Sequence, residues 1–501
     1  MKPLPPDTPE QALITQYKGS LLVVRAYAGT GKTTTLVKYA HNNLNSRILY
    51  IAYNRGIRDE AREKFPANVD CKTSHQLAYA TIGRSYQHKL TGNLRLTDIA
   101  QAVDTKNWTI AKDILDTLNA FMSSADFRIL YTHFARADTG KVLTTKQTQY
   151  ISQVVEGAEF VWSKMTTPED PFPTVHDCYL KQYQLGMPNL SRRYTTILFD
   201  EAQDSNPVTS SIVLQQHCKV ILVGDRHQQI YRFRGANNAL DSKDLAGADQ
   251  LYLTHSWRFG RNVAIVANAL LELKGETLPV VGRGASDQVV MFLPQDVGHR
   301  TVIHRTVMGV IETALAATAK GKKVYWVGGI DAYQINELQD IYWYAMAAPD
   351  RVRNKKLLDD FQDYGAQQEA AKATKDPELS LVIKIIGSYD SLPDLLTLLR
   401  LNTVKEEFGA DITVSTAHRC KGLEWDNVQL YDDFPDVLDP ELDITTRDDE
   451  INLLYVASTR AMRVLALNSA VEMVIRYITH KRLVEKQMKL AAEATEDGAT
   501  Q

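Results

Sequence analysis

The first part of the chain alternates short apolar runs with helix-like spacing. Residues 21–24 form an apolar run of strand length, and a loop follows. Leu36, Ala40 and Leu44 then recur at helical spacing, before a second apolar run at 48–53. Strand, loop, helix and strand in this order predict the first unit of a parallel α/β sheet.

Apolar runs of strand length recur further along the chain. Two of them lead into acidic residues, as TILFD at 196–200 and VILVGD at 220–225. The others lie at 301–304, 323–327, 412–415, 428–431 and 464–467. Because the runs fall into two groups, we predict two α/β domains rather than one.

Stretches of a different character separate these groups. Residues 86–172 show helical spacing, for example at Ile110, Ile114 and Leu118, and lack buried-strand runs. Residues 331–400 are again helical and polar, so we expect a mostly helical insertion in each domain. We expect the first α/β domain to comprise 1–85 and 173–256, with its insertion at 86–172. The second α/β domain is expected to comprise 257–330 and 401–483, with its smaller insertion at 331–400. Residues 484–501 are expected to form a tail that frays from helix into disorder.

Composition and charge exclude some classes of protein. A length of 501 residues is too long for one core, and 44% apolar with 23% charged residues is an ordinary globular mix. No segment is apolar enough for a membrane span or a signal peptide, which predicts a cytoplasmic location. Four widely spaced cysteines without a CxxC argue against zinc and disulfides. A net charge of −3 excludes a uniformly basic chain but not a basic groove.

The stretch AYAGTGKTTTL, residues 26–36, predicts a nucleotide-binding loop. Gly29 and Gly31 allow close approach of the backbone to phosphates, Lys32 can reach the β- and γ-phosphates, and the Thr33 hydroxyl can bind Mg²⁺. Ala26 stands where the strict pattern has glycine, but it precedes the curled part of the loop. The residues expected to hold the nucleotide here are Ala28, Gly29, Thr30, Gly31, Lys32, Thr33 and Thr34.

Two adjacent carboxylates follow the strand at 196–200, in FDEAQD. Asp200 can hold Mg²⁺, which prefers a few carboxylates plus water. Glu201 can orient and deprotonate the attacking water. The alternative is an acidic N-cap of a following helix, which such pairs often provide. Next to a phosphate loop, the catalytic interpretation is favoured.

Six motifs together resemble a known family. The chain contains, in this order, AYAGTGKT, DEAQD, VGDRHQQIYRFRGA, LTHSWRFG, STAHRCKGLEW and LLYVASTRA, with IAYNRGIRDEA and TSHQLAY between the first two. This series resembles the UvrD/Rep/PcrA-type superfamily 1 DNA helicases, and its wording is nearest the branch of the F-box DNA helicases, although no F-box is visible. The resemblance implies two RecA-like domains of the phosphate-loop type, with ATP in the cleft between them.

The resemblance also implies roles on the nucleotide side. Gln228 would sense the γ-phosphate, and Arg258 and Arg460 would reach it from the second domain. Trp257 occupies the place of the aromatic residue that stacks on adenine, and Glu424 that of a residue near the ribose. The alternative for each arginine is a surface salt bridge.

Gln11, in TPEQALI, is an adenine-reading candidate by the same resemblance. An exposed glutamine near an N-terminus is the alternative interpretation of this residue.

On the DNA side, the resemblance points to Tyr231, Phe233 and Arg234, because bases of a single strand stack on aromatic faces. Phenylalanine replaces the usual tryptophan at 233, and Tyr231 could instead belong to the core. Ala52 and Ser74 fall where relatives often carry phenylalanine, so the row of stacking residues is incomplete or displaced. The other expected DNA contacts are Asn54, Thr73, His75, Thr416 and His418.

The implied function is an ATP- and Mg²⁺-dependent DNA helicase or translocase, acting on single-stranded DNA and on single-strand/duplex junctions in repair, recombination or replication. The motif sequence KGLEW, at 421–425, favours 3′→5′ movement. The short 331–400 segment predicts low processivity and a loading or processivity partner. We expect the protein to associate with DNA or the nucleoid in a prokaryote or phage-infected cell. The alternatives are an RNA helicase of the same superfamily and a translocase that strips proteins from DNA without unwinding it.

Overall fold

The computed structural model describes residues 6–134, 143–232, 238–294, 297–360, 363–374, 377–388 and 391–498. Contacts divide the chain into two compact units. The first unit comprises Met1–Ala26, Lys32–Leu253 and Asp340–Ser388, and the second comprises Tyr27–Gly31, Thr254–Gln339 and Tyr389–Gln501.

The first unit is built on a parallel sheet of six strands within the described residues, in the order β3-β2-β6-β7-β1-β8. A small parallel pair, β4 with β5, lies apart from it. The strands are β1 Leu21–Ala26, β2 Ile48–Ala52, β3 Val69–Thr73, β4 Leu90–Thr91, β5 Thr174–Val175, β6 Thr196–Phe199, β7 Lys219–Gly224 and β8 Asp249–Leu253.

Helices cover both faces of this sheet. The helices of this part of the chain are α1 Pro9–Thr15, α2 Lys32–His41, α3 Arg55–Lys64, α4 Ser74–Thr81, α5 Leu96–Ala102, α6 Trp108–Ser123, α7 Thr145–Thr166, α8 His176–Leu185 and α9 Pro207–Leu214. Leu22 and Val24 of β1 pack with α1, α2 and α3, whereas Val23 packs in the core that includes α4, α8 and α9. The central strands are therefore buried on both faces, which explains their continuous apolar runs.

The insertion expected at 86–172 contains α5, α6 and α7, which form a separate core around Ile114, Leu118 and Val154. Helices from the later insertion also belong to the first unit, and α14 contacts α6. These later helices are α13 Lys355–Asp360, α14 Tyr364–Thr374 and α15 Pro377–Ser388, together with part of α12 Ile335–Ala345, which spans the boundary between the units. The preceding helices, α10 Arg261–Leu273 and α11 Val307–Ala319, belong to the second unit.

The second unit contains a parallel sheet whose strand order within the described residues is β11-β17-β16-β12-β15-β13-β14, together with a parallel pair, β9 with β10. Its strands are β9 His255–Ser256, β10 Val281–Gly282, β11 Gln288–Val290, β12 Arg300–His304, β13 Val324–Trp326, β14 Thr403–Val404, β15 Ile412–Thr416, β16 Trp425–Leu430 and β17 Ala461–Ala466. Its remaining helices are α16 Leu392–Asn402, α17 Ile444–Ser458 and α18 Ser469–Gly498.

The predicted fold class, two α/β domains with parallel sheets, is confirmed. Helix α18 continues to Gly498, through most of the segment expected to fray into disorder, because 484–494 consists of good helix formers. In the part of the chain that the structure describes, no helix combines the length and the apolar character that crossing a membrane requires.

Candidate functional site

The phosphate loop follows β1, whose last residue is Ala26. Ala26 is thus a buried strand residue, and the turn begins only after it. Gly29 and Gly31 adopt φ of 72° and 76°, a left-handed conformation that favours glycine. A Cβ on Gly29 would also lie 2.5 Å from the Ser256 Oγ, too close for any side chain. Glycine is needed at 29 and 31, and an alanine at 26 is compatible with the loop.

Residues 27–31 make their contacts within the second unit. The Ala28 N–H donates to the Tyr455 Oη at 3.1 Å, and the Trp257 N–H donates to the Gly29 carbonyl at 2.9 Å. The Ser256 Oγ beside Gly29 is buried and has no hydrogen-bond partner among the described residues. Thr30 stabilises the turn itself, because its Oγ1 donates to the Tyr27 carbonyl.

The next residues open α2 and belong to the first unit. The Lys32 Nζ lies 3.0 Å from the Glu201 Oε1, and the Thr33 Oγ1 donates to the Asp200 Oδ2 at 3.0 Å. Burial acts to lower the pKa of Lys32, but the charges of Glu201, Asp225 and Asp200 outweigh it and leave the pKa raised. Lys32 is therefore held as a cation, as binding of phosphates requires.

Asp200 is buried and hydrogen-bonded by Tyr50, whose Oη donates to its Oδ2 at 2.7 Å. Burial, with the charge of Glu201, raises the pKa of the Asp200 carboxyl, and a bound divalent cation would offset that effect. The 3.0 Å between the Thr33 and Asp200 oxygens is also about the spacing of neighbouring ligands around Mg²⁺, given bonds of about 2.1 Å. One hydroxyl and one carboxylate suit Mg²⁺, which completes its shell with water and phosphate oxygens.

Glu201 sits in a strained backbone conformation, with φ of 51°. Its Oε2 accepts a hydrogen bond from the Gln203 Nε2, and the Gln203 Oε1 accepts one from the Asp225 N–H at 3.0 Å. Gln203 thus connects the end of β6 to the end of β7. A non-glycine residue held at positive φ by its surroundings is frequent at functional sites.

Gln228 follows β7 in a short turn and is buried. Its Nε2 donates to the Asp225 Oδ2 at 2.7 Å, and the Asp225 Oδ1 accepts from the His227 N–H. The structure thus brings Lys32, Thr33, Asp200 and Glu201 together at the carboxyl ends of β6, β7 and β1, and Asp225 links Gln228 to the same group.

Within the second unit, Arg258 contacts the glycine loop directly, because a Cβ on Gly29 would lie 2.6 Å from the Arg258 Cβ. Its Nε donates to the Glu424 Oε2 at 2.7 Å, and its Nη1 to the Thr459 carbonyl at 3.3 Å. Arg460 is only 1% exposed and donates to the Val456 and Leu423 carbonyls. The geometry presents Arg258 to the loop and turns Arg460 toward the backbone of its own unit.

Trp257 and Gln11, the two residues expected to contact the adenine base, differ in exposure. The Trp257 side chain is 53% exposed next to the glycine loop, so its ring face is accessible for stacking. Gln11 is buried and completes the capping box of α1, where its Oε1 accepts from the Thr8 N–H and from the Lys38 Nζ. Gln11 is thus not the exposed glutamine of the alternative interpretation.

A cavity of about 380 Å³ in the first unit opens beside the carboxylates. Asp200 and Glu201 line it, as do Asn54, His75 and Tyr231, all expected to contact DNA. Tyr53 also lines it, with a ring nearly parallel to that of Tyr231, at 13° and 5.7 Å between centroids. The two carboxylates and an aromatic pair therefore line one cavity.

The remaining expected DNA contacts have defined local roles. The Asn54 Oδ1 caps α3, the Thr73 Oγ1 caps α4, and the His75 Nε2 lies 2.9 Å from the Asp177 Oδ1. In the second unit, Thr416 ends β15 and is buried, and the half-buried His418 follows in the turn after it. Phe233 and Arg234 lie outside the described residues.

Sequence reasoning missed several of these participants. Tyr53 is one residue from Ala52, where an aromatic residue was expected, so a one-residue shift in alignment would have found it. Gln203 and Ser256 lie inside motifs that were recognised, DEAQD and LTHSWRFG, and Tyr455 lies inside LLYVASTRA. Their contacts with Glu201, Gly29 and Ala28, respectively, arise from the tertiary structure and cannot be read from the motif sequences.

Comparison with known proteins places the chain in a family. Residues 7–244 match the family model of the UvrD/REP helicase N-terminal domain, and residues 317–472 match that of the UvrD-like helicase C-terminal domain. Together the two matches cover well over half of the chain. The chain belongs to the UvrD-like helicase family.

Within the UvrD-like helicases, the chain is similar to F-box DNA helicase 1 of Gallus gallus, with 33% identity over 93% of this chain and 49% of the relative. It is 32% identical to F-box DNA helicase protein 1 of Schizosaccharomyces pombe, over 93% of this chain and 57% of the relative. ATP-dependent DNA helicase PcrA of Leuconostoc citreum is 26% identical over 57% of this chain and 42% of the relative. The predicted family and its F-box helicase branch are confirmed, and the chain spans about half the length of these two F-box relatives.

Proposed function

We propose that this protein is an ATP-dependent DNA helicase or translocase that moves 3′→5′ along single-stranded DNA. The observation that carries the proposal is the cavity of about 380 Å³, which Glu201 shares with Tyr53, Tyr231, Asn54 and His75. A strand held on the aromatic pair would lie beside the residues that hydrolyse ATP. That arrangement supports hydrolysis that responds to DNA.

The chain's own residues supply the steps of hydrolysis. The loop glycines and Lys32 bind the phosphates, because the backbone at Gly29 and Gly31 allows close approach and Lys32 supplies a cation. Glu201 accepts the proton of the attacking water, and Arg258 stabilises charge that develops on the transferred phosphoryl group. Mg²⁺, held by Thr33 and Asp200, would neutralise phosphate charge when bound.

On the DNA side, Tyr53 and Tyr231 form a platform for bases of any sequence, since every base has a π-face. Successive ATP binding and hydrolysis would make the two domains alternate their grip on the strand. Work on DNA in repair, recombination or replication fits the relatives, whose names identify them as DNA helicases.

ATP hydrolysis measured with and without single-stranded DNA tests the proposal. We expect the DNA to raise the turnover number at least about tenfold, and Lys32→Ala to abolish hydrolysis in both conditions, because the phosphates lose their cation. A matched RNA strand should stimulate less. Equal or stronger stimulation by RNA would favour an RNA helicase, and no stimulation by either strand would contradict the proposal.

Polarity and strand separation need tailed duplexes. We expect the wild-type chain to act on a duplex with a 3′ single-stranded tail and to leave a 5′-tailed one intact. Unwinding confined to the 5′-tailed duplex would overturn the polarity. A chain that displaces bound streptavidin from a biotinylated strand but unwinds neither duplex would be a translocase that strips proteins. Because the 331–400 segment is short, we expect weak unwinding that a partner protein increases.

Tyr53 and Tyr231 should contribute strongly to the affinity for single-stranded DNA. The double variant Tyr53→Ala/Tyr231→Ala should weaken binding to a single-stranded oligonucleotide by about tenfold or more, since stacking is worth about 1–3 kcal/mol per base. Fluorescence anisotropy measures the affinity, and DNA-independent hydrolysis should stay near the wild-type rate. Tyr53→Phe/Tyr231→Phe is the matched control and should bind normally. Wild-type affinity in the alanine variant would show that the strand lies elsewhere.

A further inference from the structure

The opposite end of the first sheet carries a second cavity, of about 530 Å³, where β2, β3 and β6 begin. Arg47, Lys72 and Arg193 line this cavity together with Asp70 and Tyr194. Ile48 of β2 lines this cavity and Ile51 of the same strand lines the first, about 10 Å further along the strand. It is therefore a separate site on the amino edge of the sheet.

Asp70, the acidic residue that lines this cavity, already interacts with neighbouring side chains of the protein. Asp70 accepts a hydrogen bond from the Tyr194 Oη at 2.6 Å, and it lies 3.3 Å from the Arg193 Nη2 and 3.5 Å from the Lys72 Nζ. Two cations and a hydroxyl thus share one carboxylate, while the Arg47 side chain adds a third positive charge and is exposed. The lining carries a surplus of positive charge.

Further cations lie near the amino ends of strands β6, β7 and β1 of the same sheet. Arg192 is exposed next to Arg193, and Lys18 and Lys219 stand before and at the beginning of β1 and β7. The Lys219 ammonium is partly engaged within the protein, because its Nζ donates to the Tyr17 carbonyl and lies over the Tyr17 ring. In a chain with a net charge of −3, such a concentration of positive charge on one edge favours an anionic ligand.

We propose that this basic edge, defined as Lys18, Arg47, Lys72, Arg192, Arg193 and Lys219, binds the phosphate backbone of duplex DNA flanking the single strand. This proposal rests on the proposed function and adds a second contact to the same partner. Exposed arginines suit phosphates, which they bind through paired N–H groups. Arg47 is exposed, and the Arg193 side chain stays 68% exposed although it pairs with Asp70 and lies over the Tyr194 ring. The open shape of the cavity fits a continuous backbone better than a small enclosed ligand.

The double variant Arg47→Gln/Arg193→Gln tests the proposal. Both side chains are exposed, so the fold should tolerate the change, and thermal unfolding checks this. Arg463→Gln/Arg476→Gln is the control, because it removes the same charge from exposed arginines of the second unit. Binding is measured by anisotropy against a blunt duplex and a short single strand over a salt series.

We expect the double variant to bind the blunt duplex about tenfold more weakly at low salt than the control variant. The slope of log affinity against log salt should fall by about 1.8, or 0.9 for each lost phosphate contact. Affinity for the short single strand, and the hydrolysis that it stimulates, should match the wild type.

Equal duplex affinity and slope in the two variants would overturn the proposal. A loss of binding to polyglutamate or tripolyphosphate, with duplex binding unchanged, would also overturn it and assign the edge to an acidic protein or a free polyphosphate. Failure of the proposed function looks different: the wild-type chain would then hydrolyse ATP no faster with single-stranded DNA, whatever its duplex affinity.

Discussion

Replacing Glu201 with glutamine should lower the turnover number for ATP hydrolysis by about 10²- to 10⁴-fold, the usual contribution of a positioned general base. The amide keeps the shape and the hydrogen bond with Gln203 but cannot accept a proton. Binding of ATP should persist or tighten, because Lys32 loses the carboxylate that holds it at 3.0 Å. Steady-state kinetics gives the turnover number, and titration with a fluorescent ATP analogue gives the affinity.

Glu60→Gln is the matched control for this prediction. Glu60 is exposed on α3 and pairs with Lys64, so its loss should leave turnover unchanged. If Glu201→Gln retained hydrolysis within about threefold of the wild type, Glu201 would not be the base, and Asp204 in the same cavity would be the next candidate. If ATP binding were lost as well, the effect would be on the Lys32 environment rather than on proton transfer.

The order of the strands explains why these residues meet. In the sheet order, β6, β7 and β1 are neighbours, and the chain segments leaving their carboxyl ends carry Glu201, Gln228 and the phosphate loop. In parallel α/β sheets, ligands bind outside these carboxyl ends. The amino ends of the same sheet carry Arg47 and Arg193 instead. One sheet therefore separates the proposed hydrolytic site from the proposed duplex contact.

The central strands could be predicted from the sequence, but the edge strands could not. Strands such as β1 and β7 are buried on both faces and show as continuous apolar runs. The edge strands β3 and β8 read VDCKT and DQLYL, because polar residues are tolerated where one side faces solvent. Their pairing with β2 and β1 depends on tertiary contacts that local periodicity does not record.

The candidate site shows a similar division. Lys32, Thr33, Asp200 and Glu201 were predicted by motif, because loop and strand-end chemistry requires these residue types at these positions, and they lie in contact with one another. Tyr53 was not predicted, because the family pattern places the aromatic residue at position 52, where this chain has alanine. Its near-parallel ring beside Tyr231 is visible only in three dimensions.

Arg258 should also contribute strongly to the rate of hydrolysis. We expect Arg258→Ala to lower the turnover number by about 10³-fold or more, the range known for arginines that stabilise phosphoryl transfer. Arg258→Lys keeps the charge but cannot bind Glu424 and the Thr459 carbonyl at once as the planar fork does, so we expect it to restore only part of the rate.

Kinetics and thermal unfolding together decide the outcome for Arg258. Arg261→Ala is the control, because Arg261 is exposed three residues away on α10 and should leave turnover unchanged. The partner Glu424 is half exposed, so breaking its ion pair with Arg258 should cost little stability. A large fall in turnover without a shift in the melting temperature therefore assigns Arg258 to the transition state. A fall in turnover that follows the melting temperature would instead make Arg258 a support for the glycine loop, whose Gly29 it contacts.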